Sequence, residues 1–361
     1  MWRGLMIWTW CAAAAAQPAL LPIRSGDRHG LVDASGRVVL AAEYDEVRLG
    51  DPLILIRKGH RTAYVDTQGR MVVPPQEAWT QPFAEGLVAA PGKDAQGRVR
   101  WGYADAQSAW VVAPAWDAAQ PFSDGLAIVG QADAWGALKY GAIDRSGRLV
   151  VPATHDKLLR TGGGLVRSES RERTHRVFDA RGRDVTPPGI DFVGIAADGM
   201  VRVWAGRKQG YMTTGGELAV APRFDQASDF REGRARVWVD GKYGFIDRRG
   251  ELVVPARWET AEDFSDGLAL VREAGQIRFI DARGKVVLEP QVDRAWGFSD
   301  GLAVVRVGNR HGYIDKQGRM VIEPQYSYAR AFEHGLGWVT IGRGGAYIDR
   351  QGRVVWRQEE R

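Results

Sequence analysis

The chain of 361 residues carries 49 Lys and Arg against 44 Asp and Glu, so both signs of charge are mixed and the formal net charge is only +5. This balance excludes a polycation that binds nucleic acid or membranes by charge alone. A hydrophobic share of 45% excludes a disordered chain, and 45 glycines with 14 tryptophans favour turns and aromatic packing over long helices.

The first residues have the features of an export signal. Arg3 precedes an apolar run over residues 4–16, which ends in a small-x-small pair at Ala14 and Ala16. This pattern predicts a secretory signal peptide over residues 1–16. The alternative is a disordered or wrongly assigned start.

An exported mature chain would begin near Gln17 and be periplasmic or extracellular. The apolar run is too short to span a bilayer as a helix, so we expect no transmembrane segment in the mature chain. The only cysteine, Cys11, lies inside this signal. Trp10 directly before it argues against a lipid anchor, and without Cys11 the mature chain has no disulfide and no cysteine metal site.

One sequence unit recurs along the rest of the chain, with a period close to 34 residues and about ten copies. Eight copies contain an Asp-x-x-Gly turn, and two variant units have Ser108 and Gly216 in the same slot. The last position of this turn is occupied by Gly36, Gly69, Ser108, Gly147, Gly182, Gly216, Gly250, Gly284, Gly318 and Gly352. Such a period identifies a repeat architecture, which we expect over residues 17–361.

The unit around Gly250 shows the first parts in order. A strand at 243–246 leads into the turn, where the Asp247 side chain accepts backbone hydrogen bonds and the glycine adopts a positive φ. We expect a second strand at 252–254 to end at Pro255, because proline cannot donate to a sheet ladder.

The second half of the unit runs from Trp258 through Ala261 to Phe264 and continues as a Phe-x-x-Gly turn and a strand at 268–271. The spacing of six residues places both aromatics on one face if this segment is extended, whereas a compact turn is the competing interpretation. An extended segment gives four strands per unit, so that every unit begins in the same direction.

In combination these motifs resemble the WG-containing repeat family of bacterial proteins. Trp101-Gly102 is the only literal Trp-Gly at the signature position. Other units carry Tyr140-Gly141, Gln209-Gly210, Tyr243-Gly244 and His311-Gly312. The resemblance implies a β-rich repeat protein, often exported, that acts as a binding or scaffolding module, and it supplies no catalytic residues.

We therefore expect an all-β tandem array of antiparallel repeats. Ten units exceed the roughly four to eight blades that are typical of propellers, which favours an open or spiral array. A closed, propeller-like ring is the alternative.

The sequence contains no pattern of an active site. The recurrent aspartates serve every turn alike, and the six histidines have no metal-ligand spacing. We expect no enzyme activity, no metal and no cofactor. The alternatives are a carbohydrate-active enzyme on a propeller-like ring and a purely structural array.

Two insertions, at 91–100 and 130–139, occupy the same turn of successive units and should project from one side. Trp135, Arg98 and Arg100 on these loops are the candidate contact residues, although the loops are alternatively just longer hairpins. The expected partner is a protein or a cell-envelope polymer, and we expect no nucleic-acid partner. The charged run at 167–176 predicts a solvated hairpin.

Overall fold

The computed structural model describes residues 20–77, 79–169 and 175–358. All regular secondary structure in these ranges is β, in 37 strands. The predicted signal peptide and Cys11 lie outside the described residues. The strands form ten antiparallel sheets, seven with four strands and three with three, and within each sheet consecutive strands are neighbours. We call each sheet a blade and number the blades in chain order.

The first five blades contain the following strands. They are β1 (Leu20–Ser25), β2 (Arg28–Asp33) and β3 (Val38–Tyr44) in blade 1; β4 (Glu46–Arg48), β5 (Ile54–Lys58), β6 (Arg61–Val65) and β7 (Met71–Gln76) in blade 2; β8 (Val88–Lys93), β9 (Val99–Ala104) and β10 (Trp110–Trp116) in blade 3; β11 (Ala118–Ala119), β12 (Leu126–Ala132), β13 (Leu138–Asp144) and β14 (Leu149–His155) in blade 4; and β15 (Lys157–Gly162), β16 (Leu165–Glu169) and β17 (His175–Phe178) in blade 5.

The other five blades each have four strands. They are β18 (Phe192–Ala197), β19 (Met200–Ala205), β20 (Lys208–Thr213) and β21 (Leu218–Phe224) in blade 6; β22 (Gln226–Ala227), β23 (Ala235–Val239), β24 (Lys242–Ile246) and β25 (Leu252–Trp258) in blade 7; β26 (Thr260–Ala261), β27 (Ala269–Glu273), β28 (Gln276–Ile280) and β29 (Val286–Leu288) in blade 8; β30 (Arg294–Ser299), β31 (Leu302–Val307), β32 (Arg310–Asp315) and β33 (Met320–Tyr326) in blade 9; and β34 (Ala329–Glu333), β35 (Leu336–Ile341), β36 (Gly344–Ile348) and β37 (Val354–Arg357) in blade 10.

The signature glycine is explained by the last two strands of a blade. A Cβ on Gly244 of β24 would lie 2.6 Å from the Val254 carbonyl oxygen of β25, so only glycine fits beneath the crossing strand. The prediction that this strand stops at Pro255 is wrong. β25 continues to Trp258, because a strand with one unpaired edge tolerates a missing donor and the ladder bulges there.

The Asp-x-x-Gly motif forms the predicted turn. The Asp247 carboxylate accepts hydrogen bonds from the backbone N–H groups of Arg249 and Glu251, at 2.9 and 3.0 Å. Gly250 has a φ of +82°, and a Cβ there would lie 2.9 Å from a methyl group of Val220 in the preceding blade. The glycine is therefore needed both for the turn and for the contact between blades.

The aromatic-Ala-aromatic segment is not one extended strand. Trp258 ends β25, the two-residue β26 follows, and Phe264 begins the next turn, so the segment carries the chain from blade 7 to blade 8. Both aromatic side chains are nevertheless buried in the same cluster between these two blades.

Each pair of neighbouring blades encloses a hydrophobic cluster, and the described residues form ten such clusters. The tenth joins blade 1 to blade 10, with Leu21 and Leu336 in one cluster. The Tyr347 hydroxyl also donates to the Pro22 carbonyl across this contact, at 2.9 Å. An open array would have one cluster fewer than it has blades.

The fold is therefore a closed, ten-bladed β-propeller. The all-β class and the tandem repeats are confirmed, but the open array favoured by the repeat count is wrong, and the closed ring is the arrangement found. The physical reason is that repeated units give the two ends of the array complementary faces, so closure buries both. We call the contact between blades 10 and 1 the closure seam.

The turns lie on two opposite sides of the ring. Turns between first and second strands and between third and fourth strands share one side, which we call the Asp face. Turns between second and third strands, and the connections between blades, share the other side, which we call the hairpin face. First strands of neighbouring blades approach each other, as β15 and β18 do, which places them nearest the ring axis.

Carboxylates link successive blades along the Asp face. Glu232 accepts hydrogen bonds from the backbone of Asp266 and Gly267 in the next blade, at 2.7 and 2.8 Å. The Asp266 carboxylate in turn accepts a hydrogen bond of 2.5 Å from the backbone N–H of Gly301, and it forms an ion pair of 2.9 Å with Lys316. These acidic residues are therefore occupied by contacts between blades.

Candidate functional site

The two inserted loops lengthen neighbouring hairpins on the hairpin face, and each ends in an additional Asp-x-x-Gly turn. The Asp94 carboxylate accepts hydrogen bonds from the backbone N–H groups of Gln96 and Arg98. The Asp133 carboxylate accepts the equivalent bonds from Trp135 and Ala137, and all four measure 2.9 Å. The insertions thus extend β8 to β9 and β12 to β13 without adding another kind of structure.

Two of the three predicted contact residues have ionic partners within the protein. The Arg98 Nε donates to Asp94 at 2.8 Å, a contact that every complete Asp-x-x-Gly-Arg turn also makes, for example Arg70 with Asp66 at 2.7 Å. Arg100 is mostly buried and forms an ion pair with Asp117, in the connection to blade 4. Both arginines therefore support the hairpins locally.

Trp135 has a different environment. Its side chain is 92% exposed at the tip of the blade 4 hairpin, and Val99 on the neighbouring blade 3 hairpin is 71% exposed. Leu138 occupies the position equivalent to Val99 in blade 4 and is also exposed. The two hairpins therefore present apolar side chains to solvent at one sector of the hairpin face.

The charged run at 167–176 is described only in part, because residues 170–174 lie outside the described ranges. Arg167 is buried rather than solvated, donates to the Val193 carbonyl and pairs with Glu169 at 2.8 Å. The prediction of a solvated hairpin is wrong for this residue, because its guanidinium bridges blades 5 and 6.

A cavity that the sequence did not predict lies between blades 8 and 9. Its volume is about 470 Å³, and it lies towards the hairpin face between the inner strands of these blades. Three arginines, two carboxylates and one tryptophan contribute charged or aromatic groups to its lining. These residues are Arg272, Arg294, Arg306, Glu262, Asp293 and Trp296.

The three arginines differ from other arginines at the blade contacts. Arg202 and Arg236 donate to carbonyl groups of the next blade. Within the described part of the chain, Arg272, Arg294 and Arg306 form no hydrogen bond and no ion pair through their guanidinium groups, although the charge of Arg272 acts on the Glu262 carboxyl group. The Nε of Arg306 is also buried without a partner. The cavity therefore contains cationic groups with unused donors.

The two carboxylates of the cavity are in different states. Asp293 accepts from the backbone N–H of Gly308 at 2.6 Å, a contact that recurs in other blades. Glu262 is exposed as a whole, but partial burial of its carboxyl group raises its pKa, against the opposing effect of the Gly297 backbone and of Arg236 and Arg272. Its neighbour Asp263 also raises this pKa. Only Glu262 departs from the repeated contacts.

Part of the composition of this cavity is visible in the sequence when the units are aligned. Arg272 and Arg306 both lie five residues after the glycine of a Phe-x-x-Gly turn. Blades 6 and 7 carry Trp204 and Trp238 at the same position. Blades 1 and 2 carry Arg24 and Arg57 at this position as well, so the column distinguishes blades 8 and 9 from blades 6 and 7 but does not by itself mark the cavity.

Among the residues that the structure describes, no group of three His, Cys, Asp or Glu side chains is placed to hold a metal ion. The same residues contain no helix with the length and hydrophobicity that crossing a bilayer requires.

Seven segments of the chain match the model of the WG-containing repeat, and together they cover more than half of its length. The chain belongs to the WG-containing repeat family. The matched segments are residues 30–58, 63–90, 101–135, 210–243, 243–276, 277–310 and 312–343. The cavity thus lies between two blades in which this WG-repeat chain follows the family pattern, whereas blade 5 lies outside all seven segments.

No curated protein matches the sequence. Among solved structures, the extracellular domain of a hybrid two-component system from B. thetaiotaomicron is 11% identical, with a TM-score of 0.26 over 95% of this chain and 65% of that one. PorZ, a bacterial surface component of the type-IX secretion system of Porphyromonas gingivalis, is 11% identical, with a TM-score of 0.27 over 88% of this chain and 52% of that one. This WG-repeat chain therefore spans about half to two thirds of their lengths. Kluyveromyces lactis Hsv2 is 9% identical, with a TM-score of 0.36 over 71% of this chain and 89% of that one.

Proposed function

We propose that this protein is a non-enzymatic, exported ring that binds a protein or a cell-envelope polymer through its hairpin face. The observation that carries the proposal is Trp135, which is 92% exposed at the tip of one of the two hairpins that the insertions lengthen. Exposed aromatic side chains on rigid supports are favoured contact residues, because burying one on binding removes a large apolar area from water.

The state of the carboxylates supports binding rather than catalysis. Glycoside hydrolysis commonly requires two free carboxyl groups that face each other across the substrate. In the cavity between blades 8 and 9, Glu262 accepts a hydrogen bond from the Gly297 backbone N–H and Asp293 accepts one from the Gly308 backbone N–H. Both carboxyl groups are thus engaged by the backbone of blade 9, which supports a role in binding over a free catalytic pair.

Export is tested by fractionating the native cell and determining the N-terminus of the protein by mass spectrometry. The expected result is a chain that starts near Gln17 outside the cytoplasm. A full-length cytoplasmic product would contradict both export and an envelope partner.

The contact surface is tested by comparing Trp135→Ser with Leu252→Ser, a change at an exposed apolar residue of blade 7. Each purified variant is mixed with envelope material of the native cell, and the bound fraction is measured by sedimentation. We expect Trp135→Ser to reduce binding roughly tenfold, which corresponds to the loss of a central aromatic contact, and Leu252→Ser to leave it unchanged. Equal binding by both variants would remove the hairpin from the proposal.

A further inference from the structure

We propose that the cavity between blades 8 and 9 binds a carboxylated sugar unit of an acidic polysaccharide. The proposal rests on the binding function above, because it names the class of envelope polymer that the ring would hold. The first argument is the unused donors. Arg272, Arg294 and Arg306 line one cavity without hydrogen-bonded partners among the described residues, and the Nε of Arg306 is buried. Guanidinium groups match carboxylates with two parallel hydrogen bonds.

The other lining groups favour a sugar over a simple anion. Glu262 and Asp293 place acceptor oxygens beside the arginines, and Thr260 adds a hydroxyl group. An inorganic anion has no use for acceptors and would be repelled by the carboxylates. A hydroxylated ring that carries one carboxylate has both the negative group for the arginines and the hydroxyl donors for the acceptors.

Trp296 supplies the remaining feature of a sugar site. It lines the same cavity, is 37% exposed and contacts the His311 ring at a centroid distance of 5.7 Å, so it adds aromatic surface to the lining. Sites for small molecules combine such apolar surface with a few polar groups that fix orientation, and about 470 Å³ lies within their usual range.

A second hollow of about 200 Å³ lies next to the cavity and shares Arg272 and Asp293 with it. Gln276, Gln291 and Glu289 line this second hollow and add further amide and carboxylate groups. Two adjacent hollows on either side of one arginine suit consecutive units of a chain better than one isolated sugar. This adjacency is the reason for assigning a polysaccharide.

The test measures binding of the full chain to three soluble polymers at physiological salt, which weakens adhesion between exposed charges. The polymers are polygalacturonate, which carries carboxylated sugars, neutral dextran, and dextran sulfate, which carries charge without carboxylates. We expect saturable binding of polygalacturonate, at least tenfold weaker binding of dextran sulfate and no binding of dextran. Equal binding of both polyanions, or binding of dextran, would overturn the assignment.

The variants locate the site. Arg306→Gln and Arg294→Gln each remove one charged donor and should weaken polygalacturonate binding roughly tenfold or more. Arg343→Gln is the matched control, because it removes the same charge from an exposed turn of blade 10 on the same face and should have no effect. Arg294 is exposed, so its variant should fold even if Arg306→Gln does not. Unchanged binding in Arg294→Gln, or an equal loss in Arg343→Gln, would show that the cavity is not the site.

The two proposals fail differently. If polygalacturonate binds and Arg294→Gln weakens it, but the native protein is cytoplasmic, the cavity assignment stands and the envelope function is wrong. If the protein is exported and sediments with envelope material equally well in wild type and Arg294→Gln, and polygalacturonate does not bind, the envelope function stands and the cavity assignment is wrong.

Discussion

Closure of the ring predicts an energetic coupling between the two ends of the described chain. Leu21 of β1 and Leu336 of β35 are both buried, and they belong to one hydrophobic cluster across the closure seam. Replacing either by alanine should cost about 2–5 kcal/mol, because the change removes buried methyl groups and leaves a cavity that the seam only partly fills. Since both changes enlarge the same space, the double variant should deviate from the sum of the single variants by about 0.5–3 kcal/mol.

The coupling is measured by urea unfolding of the wild type, the two single variants and the double variant, followed by tryptophan fluorescence. The control cycle pairs Leu336→Ala with Val203→Ala, which is buried in the cluster between blades 5 and 6, and should be additive to within about 0.5 kcal/mol. A cost below about 1 kcal/mol for Leu336→Ala, or additivity with Leu21→Ala, would refute closure, because in an open array these residues lie at free ends.

Three further predictions concern the repeated turns and the blade contacts. Burial, the largest single cause, raises the pKa of Asp33, but hydrogen bonds from Ser35 and Arg37 together lower it to about 2, and the pKa values of most other turn aspartates are lowered too. Their stabilisation is therefore complete above about pH 4 and is lost as pH falls towards 2, so an acid titration followed by circular dichroism should show cooperative unfolding in that window and not above it. Gly182→Ala should destabilise by clearly more than Gly125→Ala, since both have positive φ but only a Cβ on Gly182 meets the backbone of blade 4; equal urea midpoints would contradict the close approach. Tyr313→Phe should cost only about 1 kcal/mol, because it removes one hydrogen bond of 2.8 Å to the next blade while blades 7 and 8 carry phenylalanine there; a loss above about 3 kcal/mol would contradict this.

The local structure could be predicted from the sequence because it depends on residues that are close in the chain. Asp247 and Gly250 define a turn by their own conformational preferences, and the turn recurs with each unit. The path through Pro255 could not be predicted in this way. It depends on β25 being the last strand of its blade, which the local residues do not specify.

Closure could not be predicted because the count of units says nothing about the fit between the two ends. The contact of Tyr347 with Pro22 joins residues 325 positions apart. Equivalent tyrosines make the same kind of hydrogen bond between other blades, for example from the Tyr313 hydroxyl to the Arg330 carbonyl. The repeated tyrosine can therefore be recognised in the sequence. Its partner in the last blade cannot, because that partner is set by closure of the ring.

The cavity between blades 8 and 9 is difficult to predict from the sequence, because its lining residues lie within otherwise regular repeat units. In blade 7, Trp238 packs edge-on against Tyr243, with ring centroids 4.5 Å apart. Blade 9 has Arg306 in place of Trp238, and the cross-strand neighbour of Arg306 is His311. A cationic side chain in place of an indole adds charge to the lining of the cavity. Uniform scaffold positions thus fix the backbone, while the side chain at this position differs between blades. Since blades 1 and 2 also carry arginine there, the cavity depends in addition on its other lining residues, among them Glu262, Arg294 and Trp296.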